Sequence, residues 1–255
     1  MNRRTGRPAR TPDPSPAGPA GGRPLPRSTQ RSGPVARRCV MADSANDLPP
    51  IGQLIRGDGP DGARRVLHWY DLMCPFCYVG QQRNTIFAAH GFDVIELPFQ
   101  AHPEIPPGGR PAGERSDALV ARIEAEATAS GLALAWPARL PNSRMALAAA
   151  EWARRHAPDS FAPFQKALFA VHFALGQDLG DRAVIDRHAA VAGIDLAALH
   201  AALDDGSADA LVGQSEALGR RLGVQGTPAW LVAGRLIPGL YPREQFETLL
   251  RSLAA

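Results

Sequence analysis

Two cysteines with two residues between them, Cys74 and Cys77 in D-L-M-C-P-F-C-Y-V-G (residues 71–80), are the groups best placed by type and spacing to do chemistry. A strand-like run precedes them and a helical pattern follows. That arrangement sets Cys74 at a helix N-terminus, where unpaired backbone N–H groups and the positive end of the helix dipole favour thiolate over thiol. A thiol in such a setting falls from about 8.5 to roughly 3.5–7.5, and the thiolate is the attacking species. Cys77, one turn further on and more deeply placed, is positioned to attack a mixed disulfide formed at Cys74. Pro75 occupies a position where its missing N–H is not needed, and it stiffens the first turn. Pro75 and Phe76, the residues between the thiols, tune their reduction potential.

Zinc is the competing use of such a pair. A structural site asks for four ligands, and the one other cysteine, Cys39, lies in a Pro- and Arg-rich stretch with no spaced histidine pair. No metal is expected. Three cysteines are too few for a disulfide framework, and no secretory signal is evident. The chain is therefore expected in a reducing cytoplasm, where paired cysteines are catalytic or metal-binding.

The elements that must position the pair are legible in outline. Residues 65–70 (R-V-L-H-W-Y) read as a buried strand, 75–90 as a helix stopped by Gly91, and 94–99 as a second strand weakened by Pro98. Strand, helix and strand in so short a span make a βαβ unit with a right-handed crossover. From 101 to 221 the pattern is helical alone. It begins with a loop holding Pro103, Pro106, Pro107 and Pro111. Helices are expected over 117–130, from Asn142 or Ser143 as N-cap to 156, along Phe161, Phe164, Leu168, Val171 and Leu175, and over 181–192 and 195–204. A last one carries Leu211, Ser215, Leu218 and Leu222 as its inward stripe. The C-terminal stretch returns to strands, 230–232 and 235–237 around Ala233–Gly234. A closing helix then starts at Pro242 and buries Phe246, Leu249, Leu250 and Leu253.

The domain boundaries follow from this order. Residues 1–62 form a tail, 63–100 and 222–255 a βαβ…ββα domain, and 101–221 a helical insertion. Residues 1–40 hold nine arginines and one acid, Asp13, so they carry +8 and the remaining 215 residues −5, which gives the net +3. Ten of the 24 prolines fall in the first 50 residues, a composition that cannot offset its ordering entropy, so the tail is expected to be disordered. No aromatic residue is interleaved with the arginines, and no stretch is apolar enough to span a bilayer. Neither nucleic acid nor a membrane is an expected partner. Met41 is a candidate true start.

A second feature sharpens the reading. Residues 223–230, G-V-Q-G-T-P-A-W, put Thr227–Pro228 just before the hairpin. With the C-x-x-C unit upstream and the ββα unit downstream, the chain resembles the DsbA-like branch of the thioredoxin fold. The D-x-x-C-P-x-C-Y-x-G, N-S-R-x-A-L (142–147) and G-T-P-A-W motifs resemble its FrnE-type subgroup. The resemblance covers about 65–255. It implies an α/β thioredoxin-like fold with a large all-helical insertion, acting as a thiol–disulfide oxidoreductase. Cys74 would be the nucleophile and Cys77 the resolver, with Pro228 in cis facing them and Thr227 offering its backbone to an extended substrate segment. The substrate would be a thiol- or disulfide-containing protein or small molecule. No bound cofactor is implied, but glutathione or another small thiol could serve as co-substrate.

One departure stands out. The family's buried acid, six residues before the nucleophile, is replaced by His68, and the nearest acid is Asp71. Either could move a proton for Cys77; equally, Asp71 could cap the helix and His68 simply pack. Tyr78 and Phe76 are candidates for an apolar docking surface, and His102 opens a loop that could lie near the site. Two other functions stay in view. One is a glutathione-dependent isomerase or transferase of the kappa or hydroxychromene-carboxylate isomerase type, which resembles this chain in architecture but carries serine at the nucleophile position. The other is a non-catalytic redox-sensing adaptor.

Overall fold

Within β1 (Arg64–Tyr70) the last five residues, Val66 to Tyr70, alternate between two buried faces, and both are needed because helices cover the sheet on either side. The structure, a computed structural model, describes residues 64–254; the expectations for the tail and for Cys39 lie outside the described residues. After β1 come α1 (Pro75–Ala89), β2 (Phe92–Pro98), β3 (Arg110–Pro111), α2 (Asp117–Ala129), β4 (Arg139–Leu140) and α3 (Arg144–His156). The chain continues through α4 (Pro158–Phe173), α5 (Arg182–Val191), α6 (Leu196–Asp204), α7 (Ser207–Arg221), β5 (Ala229–Val232), β6 (Arg235–Pro238) and α8 (Arg243–Ala254). This is a thioredoxin-like fold of the DsbA kind, with helices inserted between its two halves.

The main sheet runs β2-β1-β5-β6. β1 pairs parallel with β2 and antiparallel with β5, with Leu67 opposite Leu231 and His68 opposite Trp230. One face of β1, with Val66 and Tyr70, joins a core that runs through Phe87 and Trp230 into Leu147, Phe164 and Leu199 of the inserted helices. The other face, with Leu67 and Trp69, packs with Leu218 of α7.

Local chemistry sets the element ends. Gly91 takes a positive φ of 76° after α1, the left-handed step that closes a helix. The hairpin turn uses Ala233 and Gly234, both at positive φ (47° and 75°), the type I′ geometry that a two-residue connection prefers. Asp181 and Asp195 cap α5 and α6 through their side chains. At α3 the cap is shared: Ser143 precedes the helix, but the Asn142 side chain accepts the Arg144 N–H at 2.9 Å. Arg144 then bonds Glu216 and Asp209 of α7, so the N-S-R segment fastens α3 to α7.

Four sequence expectations are corrected. The stretch 101–221 is not helical alone: β3 and β4 form a two-stranded ribbon pairing Arg110 with Leu140. Strands of two residues are too short to leave a periodic signal. The approach is close, since a Cβ on Gly109 would lie 2.7 Å from the Leu140 carbonyl. Leu175 is 60% exposed because α4 ends at Phe173, before the stripe reaches it. On α7 Ser215 and Leu218 are buried as expected, but the buried face also takes in Val212, Glu216 and Gly219, while Leu211 and Leu222 are half-buried. Pro242 stands just before α8, its carbonyl accepting the Gln245 N–H.

Gly219 shows why α7 can lie flat on the sheet. A Cβ there would sit 2.9 Å from Nε1 of the fully buried Trp69, which donates to the Ser215 carbonyl at 3.3 Å. Gly219→Ala should therefore destabilise the fold by about 1–3 kcal/mol through overpacking. Chemical denaturation of the variant against the parent checks this.

Candidate active site

Cys74 is the N-cap residue of α1, in extended backbone conformation (φ −83°, ψ 118°), and Pro75 opens the helix. The Cys74 carbonyl accepts the N–H groups of Cys77 and Tyr78 at 3.0 and 3.1 Å, so the first turn is wound tightly under the thiols. Cys74 is half-buried and Cys77 fully buried, both as free thiols. The Sγ of Cys74 lies 3.5 Å from the carbonyl oxygen of Thr227, to which its thiol donates. The Thr227–Pro228 peptide is cis. Residues far apart in sequence are thus brought together, the motif at the start of α1 and the motif before β5.

The two thiols are unequal. Cys74 is held below the ordinary thiol range, chiefly because the Cys77 thiol hydrogen-bonds to its thiolate. The Cys77 backbone N–H adds to this, and burial works against it. Burial pushes Cys77 well up, reinforced by the neighbouring Cys74. Of the two sulfurs Cys74 is therefore the one that ionises first, and Cys77 the one that holds its proton longer.

Asp71 is fully buried directly before the motif. Its Oδ1 accepts the Met73 N–H at 3.2 Å and its Oδ2 the Ala101 N–H at 2.8 Å, while its own N–H points to Cys77 Sγ at 3.5 Å. Burial raises its carboxyl above the usual range despite those bonds. His68 sits elsewhere. Its Nδ1 meets the Asn84 amide at 2.9 Å and Glu96 at 3.4 Å, and its ring stacks on Trp230 at 4.6 Å. Asn84 is seven residues beyond Cys77, about 10 Å along the helix axis, so these contacts hold His68 away from the thiols.

Tyr78 also moves out of the predicted docking surface. It is 3% exposed, stacks on Phe173 at 4.9 Å and donates to the Ala133 carbonyl at 2.6 Å. The reason is helical geometry: Tyr78 follows Cys77 on the inward side of α1. Phe76 does face the outside, half-buried beneath the Arg122 guanidinium, which lies 5.1 Å from its ring centroid.

A cleft of about 640 Å³ opens over Cys74. Pro75, Phe76 and Thr227 form the thioredoxin-like side, and His102 stands on the rim with its Nδ1 2.9 Å from a Glu104 carboxyl oxygen. The opposite wall comes from the insertion: Arg110, Arg115, Trp136, His172 and Phe173. Sequence reasoning missed these five. Arg110 and Arg115 flank a Pro/Gly-rich loop and Trp136 precedes a proline, weak signals that acquire meaning once the chain folds back. Among the described residues no group of His, Cys, Asp and Glu is arranged to hold a metal ion, and no helix is long and apolar enough to cross a membrane.

A dithiol at the N-terminus of a helix, facing a cis-prolyl peptide across a four-stranded sheet, defines the class as thioredoxin-like redox proteins. The chain belongs to the DSBA-like thioredoxin domain family, whose model matches residues 65–251. Among solved structures it is similar to a probable DsbA oxidoreductase from Streptomyces coelicolor, at 24% identity and TM-score 0.66 over 74% of this chain and 88% of that one. It is also similar to a 2-hydroxychromene-2-carboxylate isomerase, at 16% identity and TM-score 0.61, covering 74% and 94% of the two chains. A third is the cytosolic disulfide reductase DsbM from Pseudomonas aeruginosa, solved with GSH, at 20% identity and TM-score 0.53 over 74% and 98%. At these identities the likeness is one of fold. No curated protein matches the chain.

His172 provides a pH readout of the insertion's packing. It is 2% exposed, and burial lowers it from 6.5 to about 4. The unfolded chain therefore binds a proton near pH 6.5 that the native state refuses until about pH 4. Stability contributed by the neutral ring is complete above pH 6.5 and drains away as pH falls toward 4, by roughly 3 kcal/mol at most. His172→Gln should flatten that part of the stability–pH curve relative to the parent, which urea titrations at a series of pH values would measure.

Proposed function

We propose that the protein is a thiol–disulfide oxidoreductase in which Cys74 attacks a substrate disulfide and Cys77 resolves the mixed disulfide. The observation that carries this is the placement of a half-buried Cys74 sulfur at the N-cap of α1, 3.5 Å from the Thr227 carbonyl, with a buried Cys77 behind it. The unequal titration of the thiols supports the division of labour, because the attacking group must be ionised and the resolving one held in reserve. Cis Pro228 keeps the Thr227 backbone turned toward the sulfur, where a substrate segment could pair with it. Within the family, the motifs around the thiols, at 142–147 and at 223–230 favour the FrnE-type subgroup. The reading sets the protein in the cytoplasm, with glutathione or another small thiol as co-substrate.

Equilibration in glutathione buffers, with trapping of free thiols, measures the Cys74–Cys77 couple. A reversible two-electron transition is expected, abolished in Cys74→Ser. Thiols that stay reduced throughout would exclude this reading and favour the isomerase or the adaptor.

Asp71, rather than His68, is the group we assign to take the Cys77 proton. It is the buried acid whose backbone N–H points to the Cys77 sulfur at 3.5 Å, and burial raises its carboxyl's affinity for protons. Asp71→Asn should slow the resolving step by ten-fold or more and shift its pH profile. His68→Asn should leave both unchanged. Stopped-flow decay of a Cys74 mixed disulfide would report each, and equal behaviour of the two variants would remove the assignment.

A further inference from the structure

We propose that the cleft over Cys74 is a site for a low-molecular-weight thiol or disulfide carrying a carboxylate, held at its rim by Arg115 and Arg110. This rests on the oxidoreductase reading and names its substrate class and the residues that select it. The cleft measures about 640 Å³, within the ~300–1,000 Å³ span of small-molecule sites. Its walls are complementary to a short chain with an anionic end. Phe76, Trp136 and Phe173 supply the apolar surface, and Arg110 and Arg115 stand at the opening with two acids, Glu114 and Glu104, the latter beside His102 and within electrostatic reach of Arg110.

Arg115 is set in place for this task. Its guanidinium lies 4.8 Å from the Trp136 ring centroid, and Nη2 donates to the Pro137 carbonyl at 2.6 Å. The Trp136 indole is in turn anchored, its N–H donating to Glu124 at 3.0 Å. A guanidinium has five N–H donors in a rigid fork. Among the described residues Arg115 forms no ion pair, so its stacked, singly bonded guanidinium keeps donors for a carboxylate. Arg110 lies exposed on the ribbon strand β3 at the same opening. His172, behind them, stays neutral at physiological pH and so leaves the inner wall uncharged.

The exchange balances without another reactant. The Cys74 thiolate attacks one sulfur of R–S–S–R. The S–S bond breaks, a Cys74–S–S–R bond forms, and RS⁻ leaves to take up a proton. Cys77 then gives up its proton and attacks the Cys74 sulfur, and the second RS⁻ leaves. The protein's pair loses two electrons and the substrate gains them. Arg115 and Arg110 touch the carboxylate and not the sulfurs, so their effect is on which disulfide is selected.

The test separates binding from redox chemistry. S-methylglutathione, which cannot exchange, is titrated calorimetrically into the full chain, into Arg115→Gln and into Arg110→Glu. Saturable binding to the parent, weakened ten-fold or more in Arg115→Gln and also in Arg110→Glu, is the expected result. If Arg115→Gln loses its thermal transition, the exposed Arg110→Glu decides alone. In parallel, the reduced parent should be oxidised at least ten-fold faster by glutathione disulfide than by cystamine, a disulfide with amines and no carboxylate. In the arginine variants that ratio should fall toward one. No binding to the parent, binding indifferent to both substitutions, or equal rates with the two disulfides would overturn the proposal. A normal couple without S-methylglutathione binding would remove the cleft assignment and leave the oxidoreductase standing. Binding without any couple would do the reverse.

Discussion

The site depends above all on the antiparallel pairing of β5 with β1. Cys74 and Thr227 are 153 residues apart, and only the register of Leu67 with Leu231 and His68 with Trp230 brings them within 3.5 Å. Closing so long a loop costs entropy, although that cost grows slowly with length. It is offset by interactions made once the strands have met. Trp230 is the chief of these. It is fully buried, its indole N–H donates to the Asn84 side chain at 2.8 Å, one face stacks on His68, and its edge meets Phe246. A single side chain thereby ties β5 to β1, α1 and α8 together. The peptide two residues before it has little freedom to sit anywhere but over the end of α1.

The same packing makes two identical side chains chemically different. Cys74 and Cys77 share one helical turn, yet one caps the helix at the edge of a cleft and the other is wholly enclosed. The first receives hydrogen bonds that favour its anion, and the second pays for desolvation and for its neighbour's charge. Position on one helix, and what the rest of the chain lays against it, sets the two thiols apart.

The inserted helices do more than lengthen the chain. Their core is continuous with that of the sheet, and buried Arg83 of α1 clamps both oxygens of Glu126 on α2 at 2.9 Å while also donating to the Tyr241 carbonyl. That clamp holds the insertion over the thiols. The loops on either side of α2 then return as the far wall of the cleft, carrying Arg110, Arg115 and Trp136. The two thiols belong to one half of the fold and the far wall of the cleft to the other.

Much of this is legible in the chain. Periodicity, turn residues and caps marked β1, α1, β2, the hairpin and most of the helices to within a few residues, because these features are local: a strand alternates, a helix repeats, and glycine adopts positive φ. The C-P-F-C and G-T-P-A-W segments marked the thiols and the proline opposite, since both are carried by consecutive residues. The β3–β4 ribbon could not be read, its two-residue strands being too short for a period. Nor could the fate of side chains that sequence proximity made suggestive. Tyr78 adjoins Cys77 yet is turned into the core by its place on α1, and His68 is held by Asn84, Glu96 and Trp230. The sequence by itself determined which groups are reactive and where the elements begin and end. Tertiary structure alone decided which sulfur borders the cleft and which is enclosed, and that Arg110 and Arg115 line the same cleft, because burial and long-range contact are properties of packed surfaces and not of neighbours along the chain.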